Sequence, residues 1–169
     1  FLVHDDVEDE SLHRRGAPTM HQDWGIAIAV NVGDALNVLA MTPLLNNLEV
    51  VGLEKTLRIF REIERMARES VEGQAMELEW VRANAWELRD THYFRMSSKK
   101  TCWYTTISPC RLGALLGGPL DVDLEPWVEF GYHLGVAFQI QDDLLNLVGE
   151  EERYGKERAG DIWEGKRTL

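Results

Sequence analysis

An all-α protein is the fold class this sequence predicts, and three observations predict it. Proline is scarce, with five residues in 169. Apolar residues recur three or four apart instead of alternating, the period of helices and not of strands. Hydrophobic content of 44% and charged content of 28% are ordinary for a globular chain, and the length fits one domain with a substantial core, so residues 1–169 are expected to form a single domain.

The elements follow in order. The end of a first helix is expected over residues 1–10, followed by a polar loop, residues 11–19, that holds Arg14, Arg15, Gly16 and Pro18. A second helix over residues 22–46, with a kink near Pro43, contains the most apolar stretch of the chain. Asn31, Asp34 and Asn37 interrupt that stretch and would be costly in lipid, so it reads as a core helix and not a membrane span. A third helix is expected over residues 53–82, with Leu57, Phe60, Ile63 and Ala67 on one face. A fourth starts near Trp86, covers residues 93–116 and stops at Gly117, Gly118 and Pro119. Thr101, Thr105, Thr106 and Pro109 weaken it internally and predict a bend. A fifth, over residues 125–148, carries an apolar wall of Phe130, Leu134 and Phe138 towards Gln141 and Asp142. Beyond Glu150 the chain is charged and rich in Gly, and reads as a loop before another helix.

Bulk charge excludes some functions. A net charge of −11 disfavours nucleic-acid binding, which requires clustered basic surface. The local exceptions, Arg14-Arg15, Lys99-Lys100 and the basic residues between Lys156 and Arg167, therefore stand out. Cys102 and Cys110 are too few for a zinc site and read as buried thiols. No basic leader precedes an apolar run, so a signal peptide is not visible and a cytoplasmic protein is expected. The chain opens on Phe1 without an initiator Met and is expected to be truncated at both ends.

The chemistry is concentrated in two carboxylate motifs, DDVED at residues 5–9 and DDLLN at residues 142–146. In each, the first and last members are four residues apart, so in a helix they share a face. Such a cluster repels itself unless cations neutralise it. Magnesium suits it, because Mg²⁺ takes a few carboxylate oxygens, retains waters and fills its remaining positions with substrate phosphate. An apolar wall running into metal-binding groups suits a hydrocarbon substrate with a charged head. No segment has the alternating oxygen ligands and central Gly of a calcium-binding EF-hand.

Taken together, the segments HDDVEDESLHRRGAPT, EGQAMELE, KKT, FQIQDDLLN and YGKERAGDIWEGKRTL resemble the trans-type isoprenyl diphosphate synthases of the polyprenyl synthetase family, in that family's order and near its spacing. The match is to roughly the middle half of a family member. The resemblance implies an isoprenoid-synthase helical bundle around a central apolar cavity. It also implies a reaction in which isopentenyl diphosphate condenses with an allylic diphosphate to a short or medium trans-polyprenyl diphosphate. About three Mg²⁺ ions per site would be held by Asp5, Asp6, Asp9 and Asp142, with Asp143 and Asn146 as weaker ligands. Arg14, Lys100 and Lys156 would grip the allylic diphosphate, and Arg15 the isopentenyl diphosphate. Thr101 and Gln139, with Gln74 alongside, would place oxygens near the carbocation, and Lys166 would belong to the segment that covers the site. A homodimer is implied, formed on the apolar second and third helices.

Two features depart from the family's commonest pattern. Asn146 stands where many members carry Asp, which removes a charge but keeps an oxygen ligand. Phe1, one helical turn before Asp5, is where the family places a bulky residue that stops product growth, favouring a C20 product with C15 next. A class I terpene cyclase is a competing reading, but cyclases usually lack the RRG loop and carry a mixed second motif. A non-catalytic regulatory subunit of a heteromeric synthase is another, although such partners commonly lose acidic or basic members that are present here.

Overall fold

The computed structural model describes residues 1–149 and 159–169; Lys156 lies outside the described residues. These fall into two compact units, residues 1–46 with 143–166, and residues 47–142 with 167–169. Helix α9 (Pro126–Val148) runs through the division.

The first unit begins with α1 (Leu2–Glu8), whose first turn closes by Asp5 N–H donating to Phe1 O at 2.9 Å. The predicted polar loop is a short hairpin, β1 (His13–Arg14) paired antiparallel with β2 (Ala17–Pro18). Its two turn residues, Arg15 and Gly16, both have positive φ, 55° and 77°, the conformation that matches the right-handed twist of a two-residue hairpin. The expected single helix over residues 22–46 is three: α2 (Met20–Trp24), α3 (Ile26–Leu39) and α4 (Thr42–Asn46). The first break is Gly25, at φ 83° and ψ 157°, a backbone conformation only Gly adopts readily. The expectation of a core helix fails. Of α3 only Ala29 and Gly33 are buried in the described chain, while Ile26 is 62% and Val38 73% exposed. By length and composition alone, Ile26–Asn46 is apolar enough to cross a membrane, with mean hydropathy 1.5 over its best window and 11% of that window buried.

The second unit is built on α6 (Leu53–Arg82), which follows the short α5 (Leu48–Val51) across Gly52. Its buried stripe is Thr56, Ile59, Ser70, Gly73 and Glu77, spaced three and four apart with one longer gap. The apolar stripe read from sequence lies elsewhere on the same helix, since Leu57 and Phe60 are half-exposed. The helix ends where Asn84 takes φ 48° and Ala85 N–H donates back to Trp80 O, a closed C-terminal turn. Arg167 secures that turn by donating to Ala85 O at 2.7 Å and Asn84 Oδ1 at 2.9 Å, its guanidinium 4.0 Å from the Trp86 ring centroid.

The predicted fourth helix is continuous but of mixed type: α7 (Asp90–Ser97), a ten-residue π-helix (Ser98–Ile107), and α8 (Ser108–Gly117). The disturbance expected at the threonines therefore takes the form of a widened helix. Its neighbour α9 presents Gly131 and Gly135 to it. A Cβ on Gly131 would meet Ile107 Cα at 2.7 Å, and one on Gly135 would meet Cys102 Sγ and Thr106 Oγ1 at 2.7 Å. Thr106 Oγ1 donates to Gly131 O at 2.6 Å. Cys102, Trp103 and Ile107 form the core there, packed against Val128, Tyr132 and Val136 of α9. Lys55 closes the end of α8 by donating to Gly118 O at 3.1 Å and Leu116 O at 3.3 Å.

Cys102 is fully buried as expected, whereas Cys110 is only partly so. Burial pushes the Cys102 thiol up to about 11, so it stays protonated near neutrality and is a poor nucleophile. At about pH 8 iodoacetamide is predicted to leave Cys102 unmodified in the native protein, read by peptide mass spectrometry. Rapid alkylation would show that α9 does not seal the π-helix.

Candidate functional site

In the first unit, DDVED occupies α1 and the turn after it. Asp6 is 5% exposed, and a buried carboxylate requires a partner. Arg14 provides it: Nε donates to Asp6 Oδ1 at 2.7 Å, while Nη2 lies 2.6 Å from Asp6 Oδ1 and 3.0 Å from Asp5 Oδ2. The hairpin sets this contact by folding Arg14 back over α1, and leaves Arg15 exposed at its tip. Burial works against the Arg14 charge, but hydrogen bonding and attraction from Asp6, and then Asp5, outweigh it. The guanidinium is held above its usual pKa.

Asp9 takes a second cation. Lys166 Nζ lies 2.6 Å from Asp9 Oδ2, 2.7 Å from Glu164 Oε2 and 3.9 Å from Asp161 Oδ1. Ser11 Oγ reaches Glu164 Oε1 at 3.4 Å. The segment carrying Lys166 starts with α10 (Gly160–Trp163), which is tied to the end of α9: Asn146 Oδ1 accepts from Asp161 N–H at 3.2 Å, and Asn146 O accepts from Ala159 N–H at 2.8 Å. Asn146 is 3% and Asp143 9% exposed.

In the second unit, Thr101 Oγ1 donates to Gln139 Oε1 at 2.6 Å, joining the π-helix to α9. Lys100 Nζ pairs with Glu77 of α6, itself 7% exposed. Neighbouring Lys99 binds Glu69 and Glu72, each at 2.6 Å, which raises its pKa. What lets α6 approach Lys100 is Gly73, whose absent Cβ would fall 2.2 Å from Lys100 N. Gly73→Ala is therefore predicted to destabilise the protein towards the upper end of the roughly 1–3 kcal/mol typical of overpacking, measured by urea denaturation. An unchanged midpoint would show that α6 and the π-helix are not held this closely. Gln74 follows Gly73 on α6 and is partly buried, and Asp142 is partly buried on α9.

The structure thus brings together Asp5, Asp6 and Arg14, then Asp9 and Lys166, and separately Thr101 and Gln139. Sequence reasoning missed Glu77, Glu164 and Ser11 as partners of these groups. Glu77 carried a signal, being the buried acid inside EGQAMELE; Glu164 and Ser11 carried none.

The donor set is all oxygen, which suits a hard divalent cation. Among the described residues, no three or more His, Cys, Asp or Glu side chains converge tightly enough to hold an ion by themselves. Magnesium uses one or two carboxylates and completes its octahedron with water and phosphate. Asp5, Asp6 and Asp9 are residues that could contribute them.

A largely helical chain with paired acidic and basic groups on α1 and its hairpin defines the class, an isoprenoid-synthase core. It superimposes with a TM-score of 0.86 on the crystal structure of geranylgeranyl pyrophosphate synthase from Corynebacterium glutamicum complexed with isoprenyl diphosphate and magnesium, at 31% identity, covering 99% of this chain and 50% of that one. The chain belongs to the polyprenyl synthetase family, whose description matches residues 1–169. It is 36% identical over 168 residues to the geranylgeranyl diphosphate synthase of Sulfolobus acidocaldarius, and 36% identical over 172 residues to that of Saccharolobus solfataricus. The alignments cover 99% of this chain and 50% of each relative, so the chain spans about half the length of the proteins it matches.

Proposed function

We propose that the protein is a magnesium-dependent trans-prenyltransferase that condenses isopentenyl diphosphate with an allylic diphosphate to give a short or medium polyprenyl diphosphate, C20 first and C15 next. The observation that carries this reading is the DDVED edge bracketed by Arg14 and Lys166, within a chain whose relatives are geranylgeranyl diphosphate synthases.

Breaking the allylic C–O bond leaves a carbocation and a multiply charged leaving group, so the barrier falls wherever fixed positive charge meets the developing negative charge. Bound Mg²⁺, about three ions on Asp5, Asp6, Asp9 and Asp142 with Asp143 and Asn146 in support, would supply most of that charge. Arg14, Lys100 and Lys156 supply the rest on the allylic diphosphate, while Arg15 holds the isopentenyl diphosphate. Asp5 and Asp6 hold Arg14 at the acidic edge through Nε and Nη2, so its positive charge is fixed there before a diphosphate binds. Lys166 closes the covering segment over the bound diphosphate. Thr101 and Gln139, joined by their hydrogen bond, offer oxygen dipoles to the cation while Gln74 supports them. Phe1, one turn before Asp5, floors the hydrocarbon channel. The protein works as a homodimer through exposed apolar helix faces such as that carrying Val38.

The test is incubation of purified protein with radiolabelled isopentenyl diphosphate and each allylic primer, with and without Mg²⁺. Mg²⁺-dependent, chain-extended product is expected; cyclised hydrocarbon from geranylgeranyl diphosphate alone, or no extension with any primer, would overturn the assignment. Phe1→Ala is predicted to shift the product to longer chains by reversed-phase chromatography. An unchanged profile would remove Phe1 from the channel floor.

A further inference from the structure

Helix α1 carries Asp5 and Asp6, and the directions in which they leave it depend on how the helix sits against its neighbours. In its own unit α1 packs chiefly on α3. His4 supplies a polar feature of that contact. His4, immediately before Asp5, turns its ring onto α3, with Nε2 3.1 Å from Val30 O and 3.5 Å from Asp34 Oδ1. A carbonyl only accepts, so Nε2 carries the proton and donates.

The ring has a shaped seat. Gly33 lies beneath it, and a Cβ there would fall 2.2 Å from His4 Nε2 and 2.4 Å from Cδ2. Glycine inside a helix costs about 1 kcal/mol relative to Ala. No turn requires it here, because Gly33 sits within α3 and is not among the positive-φ glycines. The imidazole is what accounts for it.

Successive helical residues point about 100° apart, so clamping His4 against α3 fixes the directions in which Asp5 and Asp6 leave the helix. We propose that His4, seated on Gly33, is a positioning residue that sets the rotation of α1 and thereby aims the carboxylates of Asp5, Asp6 and Asp9. In this role it touches neither metal nor substrate. The inference rests on the metal-binding reading of that edge.

The test is Mn²⁺ binding, by calorimetry and by the free-ion electron paramagnetic resonance signal, to the purified wild type and to H4A, H4Q, G33A and D5N. Thermal melts are run on each. Gln places an amide N–H near the position of Nε2. H4A and G33A are expected to weaken Mn²⁺ binding about 10-fold, the lower end of what losing a supporting contact costs a metal site, while H4Q stays within about two-fold of wild type. A folded H4A with wild-type affinity overturns the proposal, as does an H4Q as impaired as H4A. Should H4A fail to fold, G33A and H4Q decide: unchanged affinity in G33A overturns it. Wild type binding Mn²⁺ no better than D5N would instead sink the metal-binding reading itself, an outcome independent of His4.

Discussion

Asp5→Asn and Asp6→Asn, each made singly, are expected to lower turnover of isopentenyl diphosphate about 10³-fold, the scale on which loss of one preorganised electrostatic group registers in the transition state. The substitution keeps shape and an oxygen but removes the charge that attracts a divalent ion. Asp6 has a second task, because it is buried and holds Arg14 through two short contacts. Asp6→Asn should therefore also lower the melting temperature, and Asp5→Asn, whose single 3.0 Å contact to Arg14 is more exposed, should lower it less. The measurement is single-turnover product formation at saturating Mg²⁺, beside thermal melts. Turnover within about ten-fold of wild type for both would mean that the acidic edge does not serve the chemistry.

The largest loss of stability is expected at Arg111, away from the proposed chemistry. Its side chain is 4% exposed, and it donates to Glu62 through Nε at 2.6 Å and Nη2 at 2.9 Å, and to Leu124 O through Nη1 at 3.0 Å. Burial disfavours its charge, and the Glu62 hydrogen bonds and charge more than offset that, so its pKa is raised. The guanidinium joins α8 to α6 and to the residue two before α9 begins. Trp103 of the π-helix lies beside it, with Arg65 at 4.4 Å and Arg111 at 5.8 Å from the ring centroid. Removing one member of a buried pair leaves the other charged and unpaired, a loss of about 3–5 kcal/mol. Arg111→Ala should therefore lower the urea midpoint by that equivalent. The double variant with Glu62→Leu should lose less than the two single losses added together, because it removes the stranded charge. A loss below about 1 kcal/mol for Arg111→Ala would contradict a dry, closed network.

The extent of helix α6 was legible, because 30 positions without Pro and with strong helix formers leave no competing structure. Residues 20–46 show where that reasoning stops. Gly25 breaks the helix while Gly33 sits inside it, and what separates the two is the His4 ring, 29 residues away in sequence, which no local pattern reports. The threonines announced a disturbance at residues 101–106, but its π-helical form accompanies the glycine-lined contact with α9. At the candidate site, DDVED was readable as a spacing, and Arg14 through family resemblance. Thr101 with Gln139 was readable only through family resemblance, and Asp9 with Lys166, 157 residues apart, became visible only once the chain was folded.

The measurement that bears most directly on this account is anomalous diffraction from crystals of the purified protein grown with Mn²⁺ and inorganic diphosphate. Manganese peaks are expected on oxygens of Asp5 and Asp9, with the diphosphate bound to those ions. Manganese absent from both carboxylates, or bound there without the diphosphate, would contradict it.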